Sequence, residues 1–554
     1  MISAATGRSV SADPGFPPTV PQLLGRAVAG FPDAEFLVSD EVRLTFAQVD
    51  ASSASVAAQL VAHGVGTASR VGILVGNRPE WAVAFLGVTR IGALAVPLST
   101  FYRPVELAAA VRQADIQVLL VAPTIAGRPT TPVLEEAFPG LSGLAGGPLY
   151  DPSVPTLRTV CVLDGQLQGR TWGTSITTAD SQPEQLPAVV RALEETVVPA
   201  SLLAVILTSG TSGVQKAVVH THGGLVRHAV NIAAHSGLRP GRRTFTSAPF
   251  FWVGGLVPGL LVHMYLGGTV LVLERLDPDH MFDFIDRERP DALFGFSLHD
   301  RLARAERFAT TDASWLPEPA VAHQGSRADG SRHNSLGMSE TGGVHTAPGN
   351  EADRELPDDL RGAFGRAMPG IEHRIVEPGT NDPVPDGVTG EICVRGYSLM
   401  DGLYKRERAD VFDKDGWYHT RDLGCLREGY LFFVGRADDL IKTKGANVSP
   451  AEVEAALKET GLIDQVCVVG VDDADAGQLV GAYVIPAAAG SFDPDSFMQV
   501  ASGRLSSYKM PRRLVVADRL PVLTTGKVDK RCVVAELSAA PDARVSRISS
   551  NVTR

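Results

Sequence analysis

Straight after an apolar run, the chain reads TSGTSGVQK from Thr208 to Lys216. Small hydroxyls and glycines let backbone N–H groups approach an anion closely, and a lysine adds a point charge. That suits a loop that cradles phosphate, built from Thr208, Ser209, Gly210, Thr211, Ser212, Gly213 and Lys216. The spacing is not that of a Walker A loop. A Gly/Ser/Thr-rich turn without a ligand is the plainer alternative. His220 and His222 follow closely. With no third ligand nearby, the pair reads as a loop beside the phosphates rather than as a metal site.

Further along, LGMSET (Leu336–Thr341), YHTRDLG (Tyr418–Gly424), GRADDLIKTKGANVSPAEVE (Gly435–Glu454), LSSYKMPRR (Leu505–Arg513) and LPVLTTGKVDKR (Leu520–Arg531) come in order. Together with the Thr208–Lys216 loop and the run RVGILVGNRPEWAVAFLGVTRIGALAVPLS, they resemble the adenylate-forming superfamily. Its members include acyl- and aryl-CoA ligases, firefly luciferase and the adenylation domains of peptide synthetases. The resemblance covers about residues 20–535.

The resemblance implies two steps. A carboxylate attacks the α-phosphate of Mg·ATP to give an acyl-adenylate and pyrophosphate. A thiol, usually coenzyme A, then attacks the acyl carbon and releases AMP. Two anions must be brought together, so cations and backbone donors are needed. By the resemblance, Lys527 bridges carboxylate and phosphate in the first step, and Glu340 offers Mg²⁺ a hard oxygen. Asp422 accepts the ribose hydroxyls, with Arg436 as a second nucleotide contact and Ser339 as a phosphate contact. Phe250, Phe251, Trp252, Gly254 and Gly337 are candidates for the acid pocket, although the aromatic three also read as plain core. Lys444 and Gly445 fall on the coenzyme A side, and Asp438 is the hinge.

Several positions depart from the family pattern. Leu336 stands where an aromatic stacks on adenine, and Arg421 where a glycine precedes the ribose aspartate. Gln215 and Ala217 replace a proline and a glycine. The stretch between Leu293 and Leu336 is short, and AHQGSRADGSRHN offers no equivalent of the usual GGA-type pocket loop.

These residues need elements to hold them. Residues 44–64 have the spacing of an amphipathic helix closed by Gly64. Arg70–Asn77 reads as a buried strand, 78–92 as a helix, 93–99 as a strand, 104–115 as a helix and 116–123 as a strand. Continuous apolar strands alternating with helices predict an α/β fold with a mostly parallel sheet covered on both faces. Leu202–Ser209 and Thr269–Arg275 read as further strands, and residues 124–200 as connecting loops. From about residue 360, short strands separated by turns predict a β-rich subdomain. The expected division is an N-terminal domain over 1–437, a small mobile α+β domain over 438–540 and a tail over 541–554.

The length, 554 residues, suffices for several such units. With 44% apolar and 20% charged residues, global disorder is excluded. A formal charge of −11 leaves no basic footprint for nucleic acid. No apolar stretch reaches the ~20 residues of a membrane span, and the N-terminus lacks a secretory apolar segment. Five scattered cysteines without CxxC spacing predict neither a zinc site nor a disulfide framework, and favour a cytoplasmic protein.

The resulting expectation is an acid–thiol ligase that uses ATP, Mg²⁺, coenzyme A and a small-molecule acid. Neither the acid nor the oligomeric state is specified. One alternative passes the adenylate to an amine, a carrier protein or oxygen, or activates nitrite for N–N bond formation. Another is a non-catalytic nucleotide-binding homologue, against which the intact Lys527, Glu340 and Asp422 argue.

Overall fold

Buried strands without a polar face require cover on both sides, and the chain supplies it. The computed structural model describes residues 13–540 apart from 168, 180–185, 209–214, 236–237, 296–297, 303–304, 310–314, 317–334, 348–355, 444–445, 474–476, 488–491, 507 and 524–527, together with 546–547. The chain divides into two compact units. The first comprises residues 1–373, 394–418 and 429–431, and the second residues 374–393, 419–428 and 432–554.

The first unit is built on an eight-stranded sheet. Its order is Gly402–Leu403, Lys216–Thr221, Leu202–Thr208, Leu94–Pro97, Arg70–Leu74, Val118–Val121, Thr159–Leu163 and Gly173–Ile176. The six strands from Leu202–Thr208 onward run parallel. Leu94–Pro97 and Val118–Val121 are buried at every position, as strands covered on both faces must be. A second sheet holds Ala292–Phe294, Arg243–Thr246, Thr269–Val272, Glu35–Val38 and Arg43–Thr45, parallel except for its last pair.

The helix Phe46–Ala62 starts at a capping box between Thr45 and Gln48, and Gly64 follows it at φ +79°. The helix Pro79–Arg90 is apolar nearly all round and accordingly buried. Its last residue, Arg90, is a buried cation held by Asp50, Ser53 and Glu194. Gly87 allows the two helices to meet, since a Cβ there would stand 2.9 Å from Val56 Cγ1. The stretch 124–200, expected as loops, contributes the strands Thr159–Leu163 and Gly173–Ile176 and the helix Leu186–Thr196. The strands expected after residue 360 are present at Ile371–Val376, Gly390–Gly396, Tyr418–Arg427 and Tyr430–Arg436.

In the second unit, the long strands Ile463–Asp473 and Gly477–Pro486 form an antiparallel pair, and Arg513–Val516 joins it in parallel. Alternation sorts the side chains. Val466 and Val468 face a core with Val453, Leu457 and Phe497 from two helices. Cys467 and Val469 face the other way, onto Val533 and Leu537 of the helix Lys530–Ala539. No helix among the described residues is long and apolar enough to cross a membrane.

Candidate active site

Thr208 ends one strand of the first unit's sheet and Lys216 begins the next, and the two residues lie opposite each other in the antiparallel ladder. Thr208 thus marks the carboxyl end of a strand in a mostly parallel sheet, where α/β proteins bind ligands. Ser209, Gly210, Thr211, Ser212 and Gly213 lie outside the described residues. The flank of the loop is anchored by the residue that replaces proline. Gln215 accepts through its backbone oxygen from Gln113 Nε2 and through Oε1 from the Tyr102 hydroxyl at 3.2 Å. Burial pushes that phenol up to about 12. Ala217, in place of glycine, packs into the core beneath the sheet.

The LGMSET segment makes a tight hairpin. Gly337–Met338 pairs with Gly343–Val344, and Ser339–Thr341 forms one 3-10 turn at its tip. A Cβ at Gly337 would come within 2.6 Å of Gly343 O, so this close approach needs a glycine. Gly342 and Gly343 hold φ +70° and +126°. Leu336 is buried and serves through its backbone, its N–H donating to Thr346 Oγ1 and its carbonyl accepting from His345 N.

The hairpin brings Glu340 to the lysine. Lys216 Nζ is 3.1 Å from Glu340 Oε1 and 3.3 Å from the Tyr418 hydroxyl, which itself donates to Glu340 Oε1 at 3.0 Å. Glu340 and Tyr418 are buried, while the lysine is 36% exposed and so reachable by a ligand. Met400 N donates to Glu340 O. Tyr418 is the residue that the sequence argument passed over. Its place at the head of YHTRDLG was visible, but only the fold shows the hydroxyl on the carboxylate. Ser339 stands beside Glu340, its carbonyl taken by His220.

The two histidines do not form a loop. His220 lies within the strand Lys216–Thr221 and His222 begins the helix His222–His235, where its Nδ1 accepts from Val20 N. They point to different partners and do not converge on one point. Both are buried, as are His228, His263 and His345, and His373 is partly buried. Burial lowers all six, His222 to about 3 and His220, His228, His263 and His373 to about 4. An unfolded chain takes up these protons near pH 6.5, whereas the folded chain refuses them until about pH 4. The unfolded state therefore binds more protons in that window, and stability falls as pH falls through it. Each such histidine adds up to about 1.4 kcal/mol per pH unit to the slope. Urea midpoints measured from pH 7.5 to 4.5 should drop steeply below pH 6.5. A flat profile would contradict the buried neutral set.

Among the pocket candidates, Phe250 is fully buried against Trp81, 5.4 Å between ring centroids, with its N–H on Asn77 Oδ1. Phe251 meets Phe101 edge-on at 5.7 Å and Trp252 at 5.7 Å. Nothing lies within 4 Å of where a Gly254 Cβ would stand.

In the second unit, Asp422 is buried and Arg436 Nε lies 3.0 Å from its Oδ1. Thr420 orients this segment, accepting from Asp422 N and donating to Ile392 O. Between them Arg421 holds φ +63°, the left-handed region that glycine adopts freely, with its N–H on Glu391 Oε1. A side chain there costs about 1–2 kcal/mol, partly offset by the entropy that glycine adds to the unfolded chain. Arg421→Gly should therefore be more stable than Arg421→Ala by roughly 0.5–1 kcal/mol in urea denaturation. Equal stability would mean that the backbone is unstrained. Asp438 lies in the 3-10 turn Ala437–Asp439. Lys444, Gly445 and Lys527 lie outside the described residues.

A family model described as AMP-binding enzyme matches residues 24–404, and one described as AMP-binding enzyme C-terminal domain matches residues 452–527. A feruloyl-CoA synthase of Amycolatopsis is 29% identical over 495 residues, covering 88% of this chain and 92% of the synthase. The anthranilate CoA ligase AuaEII, solved in complex with anthranoyl-AMP, superposes with a TM-score of 0.76 at 21% identity, over 94% of this chain and 97% of the ligase. The amide bond synthetase McbA of Marinactinospora thermotolerans gives a TM-score of 0.76 at 25% identity, over 93% of this chain and 99% of the synthetase.

Proposed function

The chain belongs to the AMP-binding enzyme family, and on that premise we propose that it activates a carboxylic acid with ATP as an acyl-adenylate and transfers the acyl group to coenzyme A. The observation that carries this reading is the contact of Lys216, at the end of the phosphate-type loop, with Glu340 on the hairpin 124 residues away. A cation and a carboxylate held together at a strand's carboxyl end suit a polyphosphate and its counter-ion.

In this reading, Thr208, Ser209, Gly210, Thr211, Ser212, Gly213, Lys216 and Ser339 hold the phosphates. Asp422 accepts the ribose hydroxyls and Arg436 orients it. Lys527 draws the acid's carboxylate to the α-phosphate, offsetting the repulsion between two anions. Lys444 and Gly445 serve the coenzyme A side. A single carboxylate fits Mg²⁺, which is usually held by one or two carboxylates plus substrate phosphates. Glu340 would hold it, and the ion's chemistry is to neutralise phosphate charge. Glu340→Gln should raise the Mg²⁺ concentration for half-maximal activity by about tenfold or more. An unchanged requirement would leave Glu340 as only a structural partner of Lys216 and Tyr418. We place the reaction in the cytoplasm, as the five scattered cysteines favour.

The likeness to an amide bond synthetase supports a second reading, in which an amine takes the acyl group. Product mass separates the two. With ATP, an acid, coenzyme A and an amine all present, the proposal expects AMP and an acyl-CoA thioester. An amide as the sole product would move the enzyme to the second reading.

A further inference from the structure

Lys216, Val218 and His220 occupy one face of the strand Lys216–Thr221, at alternate positions. Ala217 and Val219 face the other way, into the core of the main sheet. The first face lies along the Ser339–Glu340 turn from end to end. Lys216 Nζ meets Glu340, Val218 packs among Met338, Met400 and Tyr418, and His220 Nε2 stands 2.7 Å from Ser339 O. A carbonyl only accepts, so His220 is the tautomer with its proton on Nε2. Burial keeps the ring neutral, its pKa lowered to about 4. Two polar side chains of one strand thus hold two successive residues of the hairpin tip, one by its carboxylate and the other by its backbone.

We propose that His220 is a positioning residue of the nucleotide site, whose Nε2–H bond to Ser339 O sets the turn so that Glu340 meets Lys216 and the bound nucleotide. This inference rests on the adenylation reading above. His220 itself touches no substrate. Its role is carried by one bond from one ring nitrogen, which makes it separable from bulk packing.

Glutamine and asparagine test that bond. A glutamine amide nitrogen reaches about where histidine Nε2 lies, while that of asparagine stops near Nδ1. Acid-dependent ATP–pyrophosphate exchange is measured for wild type, His220→Gln, His220→Asn and His220→Leu, with folding checked by circular dichroism. The expected result is exchange within about threefold of wild type for His220→Gln. Loss of about 10–100-fold is expected for His220→Asn and His220→Leu, the scale seen when a ligand's supporting partner is removed. Combined with Glu340→Gln, His220→Asn should cost little more, because both act through one turn. If His220→Leu does not fold, the Gln and Asn pair still decides, since both are polar and differ only in reach. Equal exchange by His220→Gln and His220→Asn, or full additivity with Glu340→Gln, would overturn the inference while leaving adenylation standing. A wild-type protein with no acid-dependent exchange would overturn the function and the inference together.

Discussion

Lys527→Ala is expected to cut adenylation by about 10²–10³-fold, the usual cost of removing one charge contact to a transition state. The described residues that flank it are tied together. Val522 and Val528 bridge across the TTGK segment, Asp529 N returns to Pro521 O, and Asp529 caps the helix Lys530–Ala539. A lysine that bridges carboxylate and phosphate serves only the first step. Thioester formation from acyl-adenylate made in advance should therefore survive in the variant. The check is to assay both half-reactions on the same folded preparation. Equal loss in both would remove Lys527 from its assigned role.

The second large effect is expected at Asp438. In the proposed mechanism Lys527 and an incoming thiol cannot both stand at the acyl carbon, so the second step would need a different setting of the C-terminal residues. Hinges are a few element-end residues that absorb the φ/ψ change. We propose Asp438 for that role, since it lies inside a three-residue turn between the strands Tyr430–Arg436 and Ile441–Thr443. Proline locks φ near −65° and is tolerated in the first turn of a helix, so it would restrict a φ/ψ change at this position. Asp438→Pro should slow thioester formation by about 10–10²-fold, the scale of a misplaced reacting group, and leave adenylation nearly intact. Parallel loss of both half-reactions, or of neither, would place the hinge elsewhere.

Much of this was legible because the sequence writes strands and caps locally. Continuous apolar runs at Arg70–Leu74, Leu94–Pro97 and Val118–Val121 allowed only buried parallel strands. The strands Thr159–Leu163 and Gly173–Ile176 were not legible. Gly173–Ile176 is the sheet's edge strand with Thr159–Leu163 next to it, in a stretch rich in glycine and proline, and the short GTSI run has no apolar pattern to read. The site's residue types could be read from motif order, but its contacts could not. Lys216 and Glu340 are 124 residues apart, and His220 and Ser339 are 119. Nothing local in His220 marks it, since a buried histidine and a loop histidine have the same letter. Arg421 was visible as a departure, yet only its positive φ explains why a glycine suits that position.

The account depends most on one ordering, adenylation before any thiol acts. Pyrophosphate release from ATP should be measured across a panel of aliphatic and aromatic acids, with and without coenzyme A. The prediction is release that requires an acid and proceeds without coenzyme A, followed by consumption of free thiol and formation of AMP once coenzyme A is added. Release without any acid, formation of ADP in place of AMP, or release that begins only when coenzyme A is present would contradict it.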